Sequence, residues 1–268
     1  MALKDVTLGQ YFPGNSLIHR LDPRSKLIFT VLYIVVIFLC KHLVSYGLVL
    51  ATLLVLIGIS RVQPKVFLKG MKPVVFIVVF TAILNLFYTD GTVLWSLGFL
   101  KITEEGIWKA FFMVLRILML IASTLLLTYT TSPILLTSGL ERLLHPLKKI
   151  NFPVHELAMM MNIALRFIPT LIQETDKIIS AQKARGADFD SGNLMQKAKA
   201  LIPILIPLFI SSFRRAEELA VAMECRCYHG DEGRTSLRQL VMHGRDWGFL
   251  LFTVVLAASV CVLRFFGL

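Results

Sequence analysis

Residues 181–190 read AQKARGADFD, and residues 222–230 read AMECRCYHG. In each stretch a lone arginine sits where a long helical run breaks: Arg185 between Ala184 and Gly186, Arg226 between Cys225 and Cys227. A guanidinium at a helix end can do two things. It can settle on the helix macrodipole, which is worth about half a kcal/mol. Or it can project as a planar fork and bind a partner's carboxylate bidentately, which a lysine ammonium does not do. Local physics favours the first. Gly186 suits the left-handed position that closes a helix. Asp188, Asp190 and Ser191 offer N-caps for the next one. Small neighbours such as Ala184 and Gly186 would also let a partner's backbone come close.

Other chemistry is thinner. Cys225, Cys227 and His229 suggest a metal site, but no second cluster supplies the fourth ligand that a structural tetrahedral site wants. No metal is expected. Cys40 and Cys261 lie in apolar runs and behave as small hydrophobes, so no disulfide framework is readable. The sequence has no Ser/His/Asp constellation, paired carboxylate pocket or Gly-rich phosphate loop. The chain is therefore not expected to be an enzyme or to bind a nucleotide. Arg116 falls inside an apolar run, roughly 13 Å from its start at 1.5 Å per residue. An intramembrane charge is a functional candidate by default; a snorkelling or lipid-facing role is the alternative. The rival reading of the chain is a membrane enzyme or stand-alone channel built on Arg116. It needs a polar interior, and the apolar runs hold few acids or amides besides Asn85. Arg166, Glu174 and Asp176 read as a solvated or salt-bridged helix face. Met159, Met160 and Met161 read as packing or an adaptable contact.

The elements that position these residues follow from hydropathy. The 268 residues are 56% hydrophobic with a formal charge of +11, and the mean hydropathy is +0.72. That profile is an integral membrane protein. No basic stripe interleaved with stacking aromatics suggests nucleic acid. In LDPRSKL (21–27), Asp22 is a good N-cap and Pro23 a good first helical residue. The apolar run that follows is short for a bilayer and reaches spanning length if Lys26 and Lys41 snorkel to the surfaces. Further runs cover 43–60, 73–88, 107–129 and 247–266, the last with Trp247 as an interfacial anchor. A basic loop carries Arg61, Lys65, Lys69 and Lys72, and a polar loop at 89–106 contains the turn signal Asp90-Gly91. No cleavable signal is read at the N-terminus.

The expected fold is an all-α integral membrane protein. It has about five transmembrane helices plus a cytoplasmic coupling domain of about three. Residues 1–130 hold four spans, 131–246 the coupling helices and 247–268 the last span. The positive-inside rule puts the N-terminus and the coupling region in the cytoplasm of a cell membrane, with the C-terminus outside. Segment 131–246 holds fifteen Lys or Arg and twelve acids, so it must meet water. Its helices are expected at 133–147, 153–185 and 194–225, the last two kinked by Pro169, Pro203 and Pro207.

Three stretches carry a family resemblance: LDPRSKL at 21–27, RFIPTLIQETDKIISAQKARG at 166–186 and AMECRCY at 222–228. They resemble the transmembrane T component of energy-coupling factor (ECF) transporters, the EcfT family, which includes the CbiQ-type subunit of cobalt importers. The resemblance covers essentially the whole chain. It implies that Ala184, Arg185 and Gly186 form a first ATPase-docking motif and that Arg226 is the arginine of a second. Cys225 and Cys227 stand where small residues are common. The implied partners are two ABC-type ATPases and a membrane-embedded substrate-binding S component that carries a vitamin or metal ion. No cofactor is expected on this chain; ATP would sit on the ATPases.

Overall fold

The structure is a computed structural model and describes residues 11–89, 91–97, 100–187, 189, 193–228, 230 and 239–266. Asp90, Asp188, Asp190, Ser191 and His229, singled out above, lie outside the described residues. The elements are α1 (Pro23–Leu39), α2 (Leu43–Ser60), α3 (Pro64–Tyr88), β1 (Val93–Leu97), β2 (Leu100–Thr103), α4 (Glu104–Thr130), α5 (Pro133–Leu144), α6 (Val154–Ala184), α7 (Leu194–Glu224) and α8 (Gly244–Phe266). A 3-10 turn, His145–Ile150, follows α5. Chain contacts define two compact units. One comprises the described residues of Glu141–Gln239, the other those of Gly9–Leu140 and Leu240–Leu268.

The second unit is a helical bundle in which α1 packs on α4 and α8, α2 packs on α4 and α8, and α3 packs on α4. Its core runs through Phe29, Tyr33 and Val36 of α1, Val49 and Leu53 of α2, Met119 and Leu126 of α4, and Val260 of α8. Gly70 lets α3 approach α4 closely, since a Cβ there would collide with the Tyr129 hydroxyl. Helices α2, α3, α4 and α8 are long and apolar enough to cross a membrane, with mean hydropathies of 2.3, 2.0, 2.4 and 2.4 in their best windows. Their outward faces are greasy: Phe76 is 78% and Leu251 66% exposed. In a bilayer such side chains face lipid or another apolar partner.

Helix α1 differs from its expected form. Its 17 residues measure about 26 Å at 1.5 Å per residue, short of the roughly 30 Å hydrocarbon core. Lys26 does not lengthen it by snorkelling. The residue is only 5% exposed, and its Nζ donates to Thr130 O at 3.0 Å and Thr131 Oγ1 at 3.1 Å. The physical reason is the C-terminus of α4. Its last carbonyls have no intrahelical donor and carry negative partial charge, so a buried ammonium satisfies both needs. Asp22 caps α1 as expected, accepting from Arg24 N at 2.9 Å, with Pro23 in the first turn. Its own amide donates to Asp246 Oδ1 of α8 at 2.7 Å. His243 N donates to the other oxygen of Asp246 at 2.8 Å.

Two further differences are local. The basic loop after α2 is short: helix α3 begins at Pro64 and runs through Pro73, so Lys65, Lys69 and Lys72 are helical. Pro64 sits at the first helical position, where its missing N–H costs nothing. Within the polar loop, β1 and β2 pair antiparallel, Val93 opposite Thr103 and Leu97 opposite Leu100. Their sequences, VLWSL and LKIT, are rich in aliphatic, aromatic and β-branched residues. Thr103 then caps α4 by accepting from Gly106 N at 3.1 Å, with Glu104 and Glu105 in the positive first turn.

Asp246 is 2% exposed and accepts from two backbone amides. Asp246→Ala leaves those donors and the Lys26 ammonium without their anion. The expected cost is about 3 kcal/mol, read as a clearly lower unfolding temperature of the detergent-purified chain. Asp246→Asn, which keeps one acceptor oxygen, should lose less.

Candidate partner-docking site

The unit from Glu141 to Gln239 is built on two 31-residue helices, α6 and α7. Helix α6 covers the expected 153–185 and α7 the expected 194–225 to within a residue. Pro153 is the cap of α6 and not a first-turn residue. The N-cap of α7 is Asn193, whose amide donates to Gln196 Oε1 at 3.0 Å in a capping box.

The two helices pack antiparallel, because late residues of α6 meet early residues of α7. Gln182 Nε2 donates to Pro203 O at 3.4 Å. One helical turn on is Pro207, which has no N–H for that carbonyl, so the helix-breaking residue frees the acceptor that the neighbouring helix uses. Further along, Arg215 Nη2 approaches Glu174 Oε2 at 2.8 Å and Ser211 Oγ donates to Glu174 Oε1. Glu174 is thus an inter-helix clamp, one of the two alternatives its sequence position allowed.

Each helix ends on an arginine, and the two ends have one geometry. At the end of α6, Gly186 N donates to Lys183 O at 3.0 Å and Ala187 N to Gln182 O at 3.0 Å, with Gly186 at φ +87°. At the end of α7, Cys227 N donates to Glu224 O at 2.9 Å and Tyr228 N to Met223 O at 3.1 Å, with Cys227 at φ +56°. Both are Schellman caps, a 6→1 bond enclosing a shorter one. In both, the arginine immediately precedes the left-handed residue. Ala184 and Cys225 correspond, as do Gly186 and Cys227. Arg185 and Arg226 are exposed, as are Ala184, Gly186, Cys225 and Cys227. No ion pair or side-chain hydrogen bond to either guanidinium occurs among the described residues.

The structure brings Ala184, Arg185 and Gly186 together at one end and Cys225, Arg226 and Cys227 at the other. It does not bring the two arginines to one point. From the Gln182–Pro203 contact, α7 runs 23 residues further to Arg226, which is about 35 Å of helix. The two guanidinium groups are thus separate surface features, not one clamp. Cys40, Cys225 and Cys261 form no disulfide, and among the described residues no group of three His, Cys, Asp or Glu is placed to hold a metal ion.

Comparison with known proteins gives the family. The family profile described as cobalt transport protein, CbiQ, matches residues 14–237. The chain is 55% identical to the energy-coupling factor transporter transmembrane protein EcfT of Ruminiclostridium cellulolyticum, over 98% of each chain. It is 48% identical to the EcfT of Bacillus subtilis, over 98% of this chain and 99% of the relative.

This chain belongs to the CbiQ/EcfT family.

Membership accounts for the apolar helices and marks the chain as a membrane protein. The structure adds that cysteine at 227 closes its helix with the same pair of cap bonds as glycine at 186. Sequence reading left this open, because αL geometry at a non-glycine residue has no reliable local signature.

Left-handed backbone costs a residue with a Cβ about 1–2 kcal/mol. Cys227→Gly should therefore stabilise the end of α7 by about 1 kcal/mol, seen as slower amide hydrogen exchange at positions 227 and 228. Cys227→Val, β-branched at positive φ, should speed exchange there and leave the end of α6 unchanged.

Proposed function

We propose that this chain is the transmembrane coupling component of an ECF-type importer and is not itself catalytic. Two cytoplasmic ABC-type ATPases dock on the helix ends, one at Ala184-Arg185-Gly186 and one at Cys225-Arg226-Cys227. ATP binds to those subunits and not to this chain. The observation that carries the reading is the pair of matching caps: each presents an exposed arginine without an acid partner among the described residues, at opposite ends of one antiparallel helix pair. A bare guanidinium on a rigid helix tip is a ready partner for a carboxylate in a groove.

The same helix pair supplies the lever. When the ATPases close on ATP, the two tips are carried with them, and the helices change their mutual angle as a shear or hinge. ATP drives that motion only through its differential affinity for the two arrangements. On α7, Leu201, Ile202, Leu205, Ile206, Phe209, Ile210 and Phe213 form an exposed apolar stripe at helical spacing. The stripe supports contact with lipid or with a membrane-embedded S component that carries the vitamin or other micronutrient. The distribution of Lys and Arg supports a cytoplasmic N-terminus and coupling region in a cell membrane.

Truncating one side of a buried, charge-assisted arginine–carboxylate contact costs about 2–5 kcal/mol. Arg185→Ala and Arg226→Ala should each weaken co-purification of the ATPases strongly, and the double variant should abolish ATP-driven uptake in reconstituted vesicles. Undiminished uptake by the double variant would sink the proposal.

A further inference from the structure

The proposed coupling role does not use Arg116. It lies on α4, twelve residues from the start at Glu104, or about 18 Å along the axis. Its Nε and Nη2 donate to the Tyr46 hydroxyl of α2 at 3.0 and 2.6 Å. Its guanidinium lies 5.5 Å from the centroid of the Phe38 ring of α1. A guanidinium offers donors only, so the Tyr46 oxygen accepts and its own proton is left to give. No acceptor for that proton, and no carboxylate paired with Arg116, occurs among the described residues. Inside a bilayer an unpaired cation is costly, and such groups normally find an opposite charge.

The surroundings add room and more positive charge. A cavity of about 320 Å³ opens beside Arg116, at the end of the bundle where α1 turns into α2. That size falls within the roughly 300–1,000 Å³ of small-molecule sites. Lys41, Lys109, Tyr46 and Asn85 line it with Arg116, and no carboxylate among the described residues does. Both lysines are exposed. Glu105, one turn before Lys109, lies within electrostatic reach of that lysine but does not line the cavity, and its Oε2 accepts from Thr92 N and Oγ1 at 2.8 and 3.1 Å. Phe112, stacked on Tyr46 at 5.0 Å between centroids, gives the cavity an apolar wall.

The geometry points to a binding site for a phosphate-bearing anion, of the class of an anionic phospholipid headgroup. Arg116 and Tyr46 hold the phosphate oxygens at the floor, and Lys41 and Lys109 hold them at the mouth. Arginine and lysine donors suit a phosphodiester, and basic pockets between membrane helices suit lipid headgroups. The exposed apolar face of α3, including Phe80, Ile83 and Leu84 next to Asn85, is available to acyl chains.

The test uses the full-length chain, delipidated in neutral detergent and then titrated with phosphatidylglycerol, phosphatidylcholine or inorganic phosphate. Native mass spectrometry counts bound lipid, and unfolding temperature reports occupancy. The wild-type chain should retain phosphatidylglycerol over phosphatidylcholine and unfold at higher temperature with it. Arg116→Gln should weaken retention about tenfold or more, the scale of one lost charge-assisted bond, and Arg116→Lys should restore part of it. Because Lys41 and Lys109 are exposed, the double variant Lys41→Gln/Lys109→Gln keeps the fold and decides the matter if Arg116→Gln fails to fold. Stabilisation by inorganic phosphate that the variants lose would support the same site with a soluble anion as its source. Equal retention of both lipids by the wild-type chain, or phosphatidylglycerol retention unchanged in the double lysine variant with no phosphate response, would overturn the inference.

Discussion

A buried carboxylate, Asp246 at the start of α8, ties one end of the helical bundle together. It accepts the amide of Asp22, 224 residues away in sequence, and the amide of His243. Asp22 meanwhile caps α1, and Lys26, one turn later, closes the buried carbonyl end of α4. Arg24 reaches back to Leu240 O at 2.9 Å, just ahead of α8. Three residues of LDPRSKL are therefore spent on three helix termini. Helix ends carry backbone groups that no helix can satisfy by itself, and a bundle meant for lipid cannot leave them to water. Desolvating these charges is costly, and the arrangement holds because each charge has partners of the opposite sign or matched hydrogen bonds.

The ends of α6 and α7 follow a different rule. There the termini are exposed, and the backbone satisfies itself by turning left-handed and folding two amides back. The turn fixes where the preceding side chain leaves the helix, so Arg185 and Arg226 emerge from equivalent positions. Residue identity at the left-handed position matters less than the bonds it allows: glycine takes it freely, and cysteine takes it at a cost that the two cap bonds offset. The prolines show the same economy. Pro207 weakens α7 locally and leaves Pro203 O free for Gln182, so the break in one helix becomes an attachment point for the other.

Charge placement differs between the α6–α7 pair and the cavity beside Arg116. In the unit from Glu141 to Gln239, acids and bases meet across the helices, as in Glu174 with Arg215 and Glu141 with His155 at 2.8 Å. Around Arg116 the opposite holds: three cations share a cavity with a hydroxyl and an amide. The cavity suits an anion that arrives from outside the chain.

The sequence by itself determined the membrane class, the four long apolar helices and, to within a few residues, the three later helices, because hydropathy and proline or glycine punctuation are local properties. It also marked Arg185 and Arg226, since a lone arginine beside small residues at a helix break is visible in a few letters. Tertiary structure alone decided what those letters do together. Lys26 reads as a snorkelling residue until α4 places unsatisfied carbonyls beside it. Asp246 reads as an ordinary first-turn acid until Asp22 arrives from the other end of the chain. Arg116 has no visible partner until α2 brings Tyr46 to it, 70 residues away. The cap at Cys227 looks unlike the one at Gly186 until the hydrogen bonds are traced. Each is a long-range pairing or a backbone dihedral, and neither leaves a periodic or compositional trace in the chain. Local physics writes the helices into the sequence; which helix end meets which side chain is set only when the bundle closes.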